Sequence, residues 1–154
     1  MRPTDEGELS VQPPQPMRVV FDTNALISAV LFPKSVPGQA FTHARHNGTI
    51  LVTVTLVTEL RDVLARRKFE RYLSAESRDA FLAAFVLEVA FVENTELITA
   101  CRDPKDNHVL EAAINGAASC IVSGDNDLLI LTPFRDVPIV TPAEYLSRFA
   151  TPDS

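Results

Sequence analysis

The chain has 154 residues, 46% hydrophobic and 22% charged, which is the composition of one soluble globular domain with enough length for a core. Its formal net charge of −6 argues against a general nucleic-acid binder, and no apolar run approaches the roughly 18 residues of a membrane span. Two cysteines, Cys101 and Cys120, are too few for a disulfide framework, so a reduced, cytoplasmic setting is expected.

Residues 1–16 contain Pro3, Pro13, Pro14 and Pro16 and carry −2 of the net charge. They read as a disordered tail, without the apolar stretch of a secretory signal. A folded domain is expected over residues 17–149, with residues 150–154 frayed. The apolar run at 18–21 predicts a strand that ends at Asp22. Residues 24–32 predict a helix stopped by Pro33, and 38–46 a second helix closed by Asn47-Gly48. Residues 50–53 are β-rich. Thr55 reads as the cap of a helix running to about 68, with Leu56, Leu60 and Leu64 on its apolar side and Glu59 on the other. Ser74 opens a helix to 87, and 89–92 reads as a strand. Asp103-Pro104-Lys105-Asp106 supplies an N-cap, a proline at the first helical position and an acid two places on, for a helix running to 116. Residues 119–123 form a strand leading into Gly124-Asp125-Asn126-Asp127, with Asp127 read as the cap of a short turn of helix. A strand at 138–140 and a helix opened by Thr141-Pro142 complete the chain. Strands separated by helices mean parallel βαβ units, hence a three-layer α/β/α sandwich.

In such a sheet the carboxyl ends of the strands share one edge, and ligands bind there. Asp22 and Asp125 both follow apolar strand runs, so residues far apart in sequence are brought toward one place. Glu59, Asp103, Asp106 and Asp127 fall in or next to first helical turns, which lie on the same edge. Each acid but one has a plain structural reading: Asp22 as a turn or cap residue, Glu59 as a solvated helix residue, Asp103 and Asp106 as a helix start, Asp127 as a cap; Asp125 has no capping duty and is the better ligand candidate. Their joint placement favours a shared site, because gathered carboxylates repel one another unless a cation lies between them. Mg²⁺ or Mn²⁺, which prefer oxygen ligands, fit that donor set.

The strings Val19-Val20-Phe21-Asp22-Thr23-Asn24, Thr58-Glu59-Leu60, Arg102-Asp103-Pro104-Lys105-Asp106-Asn107 and Ile121-Val122-Ser123-Gly124-Asp125-Asn126-Asp127-Leu128 occur in this order. In these the chain resembles the PIN-domain ribonucleases, and more narrowly the PIN-family toxins of bacterial and archaeal toxin–antitoxin systems. The resemblance spans about residues 17–148. It implies a five-stranded parallel sheet and a Mg²⁺- or Mn²⁺-dependent endoribonuclease. By motif, Asp22, Glu59, Asp106 and Asp125 are its core acids. Asp22 and Asp125 are the metal ligands, joined by Glu59 and Asp106. Asp127 and Asp103 are auxiliary acids, and Asn24 and Ser123 polar supports. An RNA substrate, a protein antitoxin and a homodimer follow by the same resemblance.

Arg61, Arg66, Arg67, Lys68 and Arg71 form a basic stretch, offset by Asp62 and Glu70. It reads either as a solvated helix end or as a contact for an RNA backbone or an acidic partner. His43 and His46 have helical spacing but no third soft ligand, so packing or surface roles are expected. Phosphate-loop and dinucleotide glycine motifs are absent. Two rivals stand beside the nuclease. A haloacid-dehalogenase-like phosphatase would carry a second Asp two residues after Asp22, where this chain has Asn24. A non-catalytic interaction module would use the acids only as caps.

Overall fold

In the computed structural model, which describes residues 17–150, the apolar run that ends at Asp22 is the middle strand of the sheet. The expected tail, residues 1–16, and residues 151–154 lie outside the described residues. The strands are β1 (Met17–Phe21), β2 (Gly48–Val52), β3 (Ala90–Phe91), β4 (Cys120–Val122) and β5 (Ile139–Val140), in the order β3-β2-β1-β4-β5. All are parallel, with Val19 opposite Ile50 of β2 and Cys120 of β4. The helices are α1 (Thr23–Leu31), α2 (Val36–Asn47), α3 (Val54–Leu64), α4 (Ala75–Glu88), α5 (Pro104–Asn115), α6 (Asn126–Leu129) and α7 (Pro142–Phe149).

Side chains alternate across the pleat, so Val19 and Phe21 enter one core and Val20 the other. Both faces are covered, which is why the strands read as uninterrupted apolar runs rather than as alternation. One core joins β1, β2 and β4 to α1, α2, α3, α4 and α7. At its centre Phe21, 1% exposed, meets Phe41 edge-on at 5.9 Å and Tyr145 at 6.4 Å. The other core is built chiefly on α5, through Val109, Leu110, Ala112 and Ala113, with Leu128 of α6. At the end of α5 a Cβ on Gly116 would come within 2.8 Å of both Leu51 and Val92, so only glycine lets the helix end close against the sheet. Among the described residues no helix is long and apolar enough to cross a membrane.

Several boundaries differ from the sequence expectation. The cap of α3 is Thr53, whose hydroxyl accepts the Leu56 N–H at 3.2 Å, not Thr55. That helix stops at Leu64. A single 3₁₀ turn at Arg67–Phe69 then carries Phe69 in against the first core. α2 opens earlier than expected, at Val36 behind the Ser35 cap, and β3 is only two residues long.

The chain steps outward from β1 to β2 and β3, then returns past β1 to β4 and β5. Strand order therefore reverses between β1 and β4, and the crevice outside their carboxyl ends is where open α/β sheets take ligands. Four of the five strands run within a few residues into a helix cap: Asp22, Thr53, Asp125 and Thr141.

Candidate functional site

Asp22 leaves β1 in extended conformation and caps α1, its Oδ1 accepting the Ala25 N–H at 2.7 Å. Its Oδ2 accepts the Ser123 hydroxyl at 2.5 Å, and the same hydroxyl oxygen accepts the Asp125 N–H at 3.0 Å. Ser123 is fully buried and Asp22 nearly so. Burial pushes the Asp22 carboxyl above its ordinary range against the pull of the Ser123 and Ala25 hydrogen bonds, and the Asp125 charge adds to the rise. Asp125, read from sequence as free of capping duty, is in fact the cap of α6, accepting the Asp127 N–H at 2.9 Å. The turn is too short for Asp127 to take that place, because α6 already starts at Asn126.

Asp103 caps α5 through the Lys105 N–H at 3.0 Å, and Asp106 stands in the first turn of that helix. Carboxylate oxygens of Asp106, Asp125 and Asp127 lie within 4.8 Å of one another. Burial, the Asp125 charge and a proton shared with Asp125, with smaller contributions from Asp103 and Asp127, push Asp106 up to about 6. Glu59, from α3, faces the same crevice. His108 Nδ1 lies 2.7 Å from its Oε2, and Thr23 Oγ1 is at the hydrogen-bond limit, 3.5 Å from its Oε1.

These groups line one cavity of about 210 Å³, formed by Asp22, Asn24, Glu59, Asp103, Asp106 and Asp125 with Arg66 and Lys105. Asp127 joins the carboxylate cluster from outside that lining, and Ser123 supports it from beneath. Of the basic stretch, Arg66 reaches the cavity. Arg61 pairs with its neighbour Asp62 at 3.3 Å, and Lys68 lies 5.1 Å over the Phe69 ring. Arg67 is exposed and does not line the cavity. The two histidines at helical spacing have other surroundings: His43 Nδ1 meets the Tyr145 hydroxyl at 2.8 Å, and His46 is exposed. Five acids against two cations in one small cavity form an anionic, all-oxygen donor set. Such a set of clustered carboxylates suits a hard divalent cation.

Sequence reasoning missed His108, which meets Glu59 across 49 positions of chain and carries no local signal. It also missed three polar residues of α5 that hold the segment before Asp103. Asn107 bonds both the amide and the carbonyl of Cys101. Glu111 accepts the Ile98 N–H and the Asn94 side chain, each at 2.9 Å. Asn115 takes the amide and carbonyl of Glu96. Their spacing of four puts them on one helix face, a pattern visible in the sequence.

The family model of the PIN domain matches residues 18–127. An uncharacterized protein of Methanocaldococcus jannaschii is 27% identical over 143 residues, covering 86% of this chain and 92% of its own. Two solved structures share the fold. One is PAE2754 from Pyrobaculum aerophilum, with 14% identity, a TM-score of 0.57, and 88% and 91% of the two chains covered. The other is VapBC2 from Rickettsia felis bound to a DNA fragment from their promoter, with 15% identity, a TM-score of 0.52, and 80% and 97% covered.

Proposed function

The chain belongs to the PIN-domain family, and from that premise we propose that it is a Mg²⁺- or Mn²⁺-dependent endoribonuclease acting as the toxin of a toxin–antitoxin pair. The observation that carries this reading is the meeting of Asp22, Glu59, Asp106 and Asp125, from four separate elements, in one cavity. Asp106, Asp125 and Asp127, whose carboxylate oxygens lie within 4.8 Å of one another, would hold the cation, with Asp22 and Glu59 joining from the wall of the same cavity. A bound divalent cation supplies Lewis acidity there, offsetting phosphate charge and acidifying water.

The remaining chemistry belongs to the chain. Asp106, beside Asp125 in the first turn of α5, is placed to orient the attacking water. Ser123 fixes Asp22 and the Asp125 amide relative to each other. Asp103 holds the start of α5, and exposed Asn24 offers its amide to the substrate at the cavity wall. Arg66 meets a phosphate oxygen of the RNA, and Arg67, Lys68 and Arg61 carry the strand outward. The VapBC2 assembly on promoter DNA supports a protein antitoxin as partner. A homodimer in the cytoplasm completes the reading. The phosphatase alternative gains no support, since Asn24 stands where that chemistry needs its second Asp.

The substitution Asp22→Asn tests the reading. Asn keeps the oxygen that caps α1 and can donate to Ser123, so the fold is retained. It removes a charge the cation needs, so RNA cleavage in Mn²⁺ falls by orders of magnitude, on the order of 10²-fold or more. Full activity in the purified variant, with contaminating nuclease excluded, would sink the proposal.

A further inference from the structure

Between Ala80 and Phe91 the chain carries a single polar side chain, Glu88. A helix lying on a core keeps one apolar stripe and turns polar residues to water, whereas a helix apolar all round is covered all round. α4 holds most of this run, yet Phe85 alone is fully buried in it, with Phe81 and Leu82 packed beside it on the first core. Its outward side is Ala80, Ala83, Ala84 and Leu87, all exposed, at the spacing of one helix face. Leu87 is 86% exposed and Val86 38%, and Phe91 on the neighbouring edge strand β3 is 49% exposed. We propose that this face of α4 is where two copies of the chain meet, helix against helix, antiparallel about a two-fold axis at Ala83 and Ala84.

The proposal rests on the homodimer of the reading above and gives it a surface. Two properties of the face select a second copy as its occupant. The first is shape. A two-fold interface needs one patch that complements itself. In an antiparallel crossing at Ala83 and Ala84, the Leu87 of each copy falls opposite the partner's Ala80, large against small at both ends. The alanine methyls at the centre let the two helices approach closely. The second property is charge. The same pairing brings Asp79 toward the partner's Glu88. Each acid arrives with an arginine of its own chain, Arg78 on Asp79 at 3.3 Å and Arg45 on Glu88 at 3.2 Å, so the rim alternates in sign. Glu76 lies one turn outside the paired span. With 14 residues α4 is about 21 Å long. One helix seam of that length, with Phe91 beside it, is smaller than the roughly 800 Å² per partner of a standard interface, so the pair forms as concentration rises. No residue of α4 lines the acidic cavity, so the pairing does not draw on the groups gathered there.

Sedimentation velocity over a broad concentration series reads the pairing in wild type, in Leu87→Glu, and in the double variant Ala80→Lys with Leu87→Glu. Both positions are exposed, so Tm is expected to hold. Wild type should pass from monomer to dimer as concentration rises. Leu87→Glu should stay monomeric, because the seam would then bury two unpaired carboxylates. In the double variant each new acid stands opposite a lysine of the partner, and the dimer should return. Leu87→Glu that dimerises like wild type would leave the homodimer standing on some other surface and overturn the proposal. A double variant that stays monomeric would hand the face to a different protein and overturn it as well. Wild type that is monomeric throughout the series would remove this proposal and the homodimer together, and would leave the ribonuclease reading untouched.

Discussion

The Ser123 hydroxyl donates to Asp22 Oδ2 and accepts from the Asp125 amide, so one buried side chain sets the spacing of two strand ends. His108 does comparable work for Glu59. It occupies Oε2 and leaves Oε1, with only the long Thr23 contact, turned to the cavity. Carboxylate ligands are commonly held in place by such partners, and their loss weakens metal sites by about 10–100-fold. His108→Ala is therefore expected to lower Mn²⁺ affinity within that range, with Tm in metal-free buffer nearly unchanged. Asn at 108 can place its Nδ2 near the Nδ1 position and should restore part of the affinity. Equal binding by wild type and the Ala variant would show that Glu59 needs no such support. None of this pairing was legible in the sequence, because His108 and Glu59 meet only through the packing of α3 against α5. Asp22, Asp106 and Asp125 were legible, because strand ends and first helical turns place them without any long-range information.

At the scale of elements, β1 and β4 stood out in the sequence because burial on both faces leaves an unbroken apolar run. β3 was overestimated: Val89 lies outside it and the register pairs only Ala90 and Phe91, although the Val92 N–H still donates to the Val52 carbonyl at 2.7 Å. Cap positions slipped by about two residues where several Thr or Asp residues compete, as with Thr53 against Thr55 and Asp125 against Asp127. The most informative element is α5, which faces the core with its apolar side and grips the preceding segment with Asn107, Glu111 and Asn115. Glu111→Ala leaves the buried Ile98 amide without an acceptor, a loss of about 1–3 kcal/mol. A fall in Tm of about 5 °C is expected. Hydrogen exchange should rise over residues 94–101 while β1 and β4 stay protected. Unchanged exchange in that segment would contradict the anchoring role.

For the whole molecule, the decisive fact is a net negative chain that concentrates more negative charge in one crevice. Asp106 is raised in the folded state to about 6, above its ordinary 3.8. Between those values the native protein binds more protons than the unfolded one, so this contribution is present at low pH and is lost as pH rises through about 6. Metal-free protein should therefore lose up to about 2 kcal/mol from this group between pH 4 and pH 7. Asp22, raised for similar reasons, acts in the same direction. Mn²⁺ at pH 7.5 should reverse the loss and raise Tm in a concentration-dependent way, because it binds the folded site alone. Thermal scans with chelator across this pH range, then with added Mn²⁺, read both effects. A Tm that is flat in pH and indifferent to Mn²⁺ would remove the electrostatic account of the site.

The anchoring of residues 94–101 by α5 also separates where that segment's position is encoded from where its sequence is written. Asn107, Glu111 and Asn115 hold main-chain groups of Cys101, Ile98 and Glu96, and any amino acid but proline presents those groups alike. Exposed Leu97, Thr99 and Ala100 are thus free to drift between relatives while Asp103 stays in register. Divergence in this stretch would report on what the protein meets at its surface, whereas divergence at 107, 111 or 115 would report on how the segment leading to Asp103 is held.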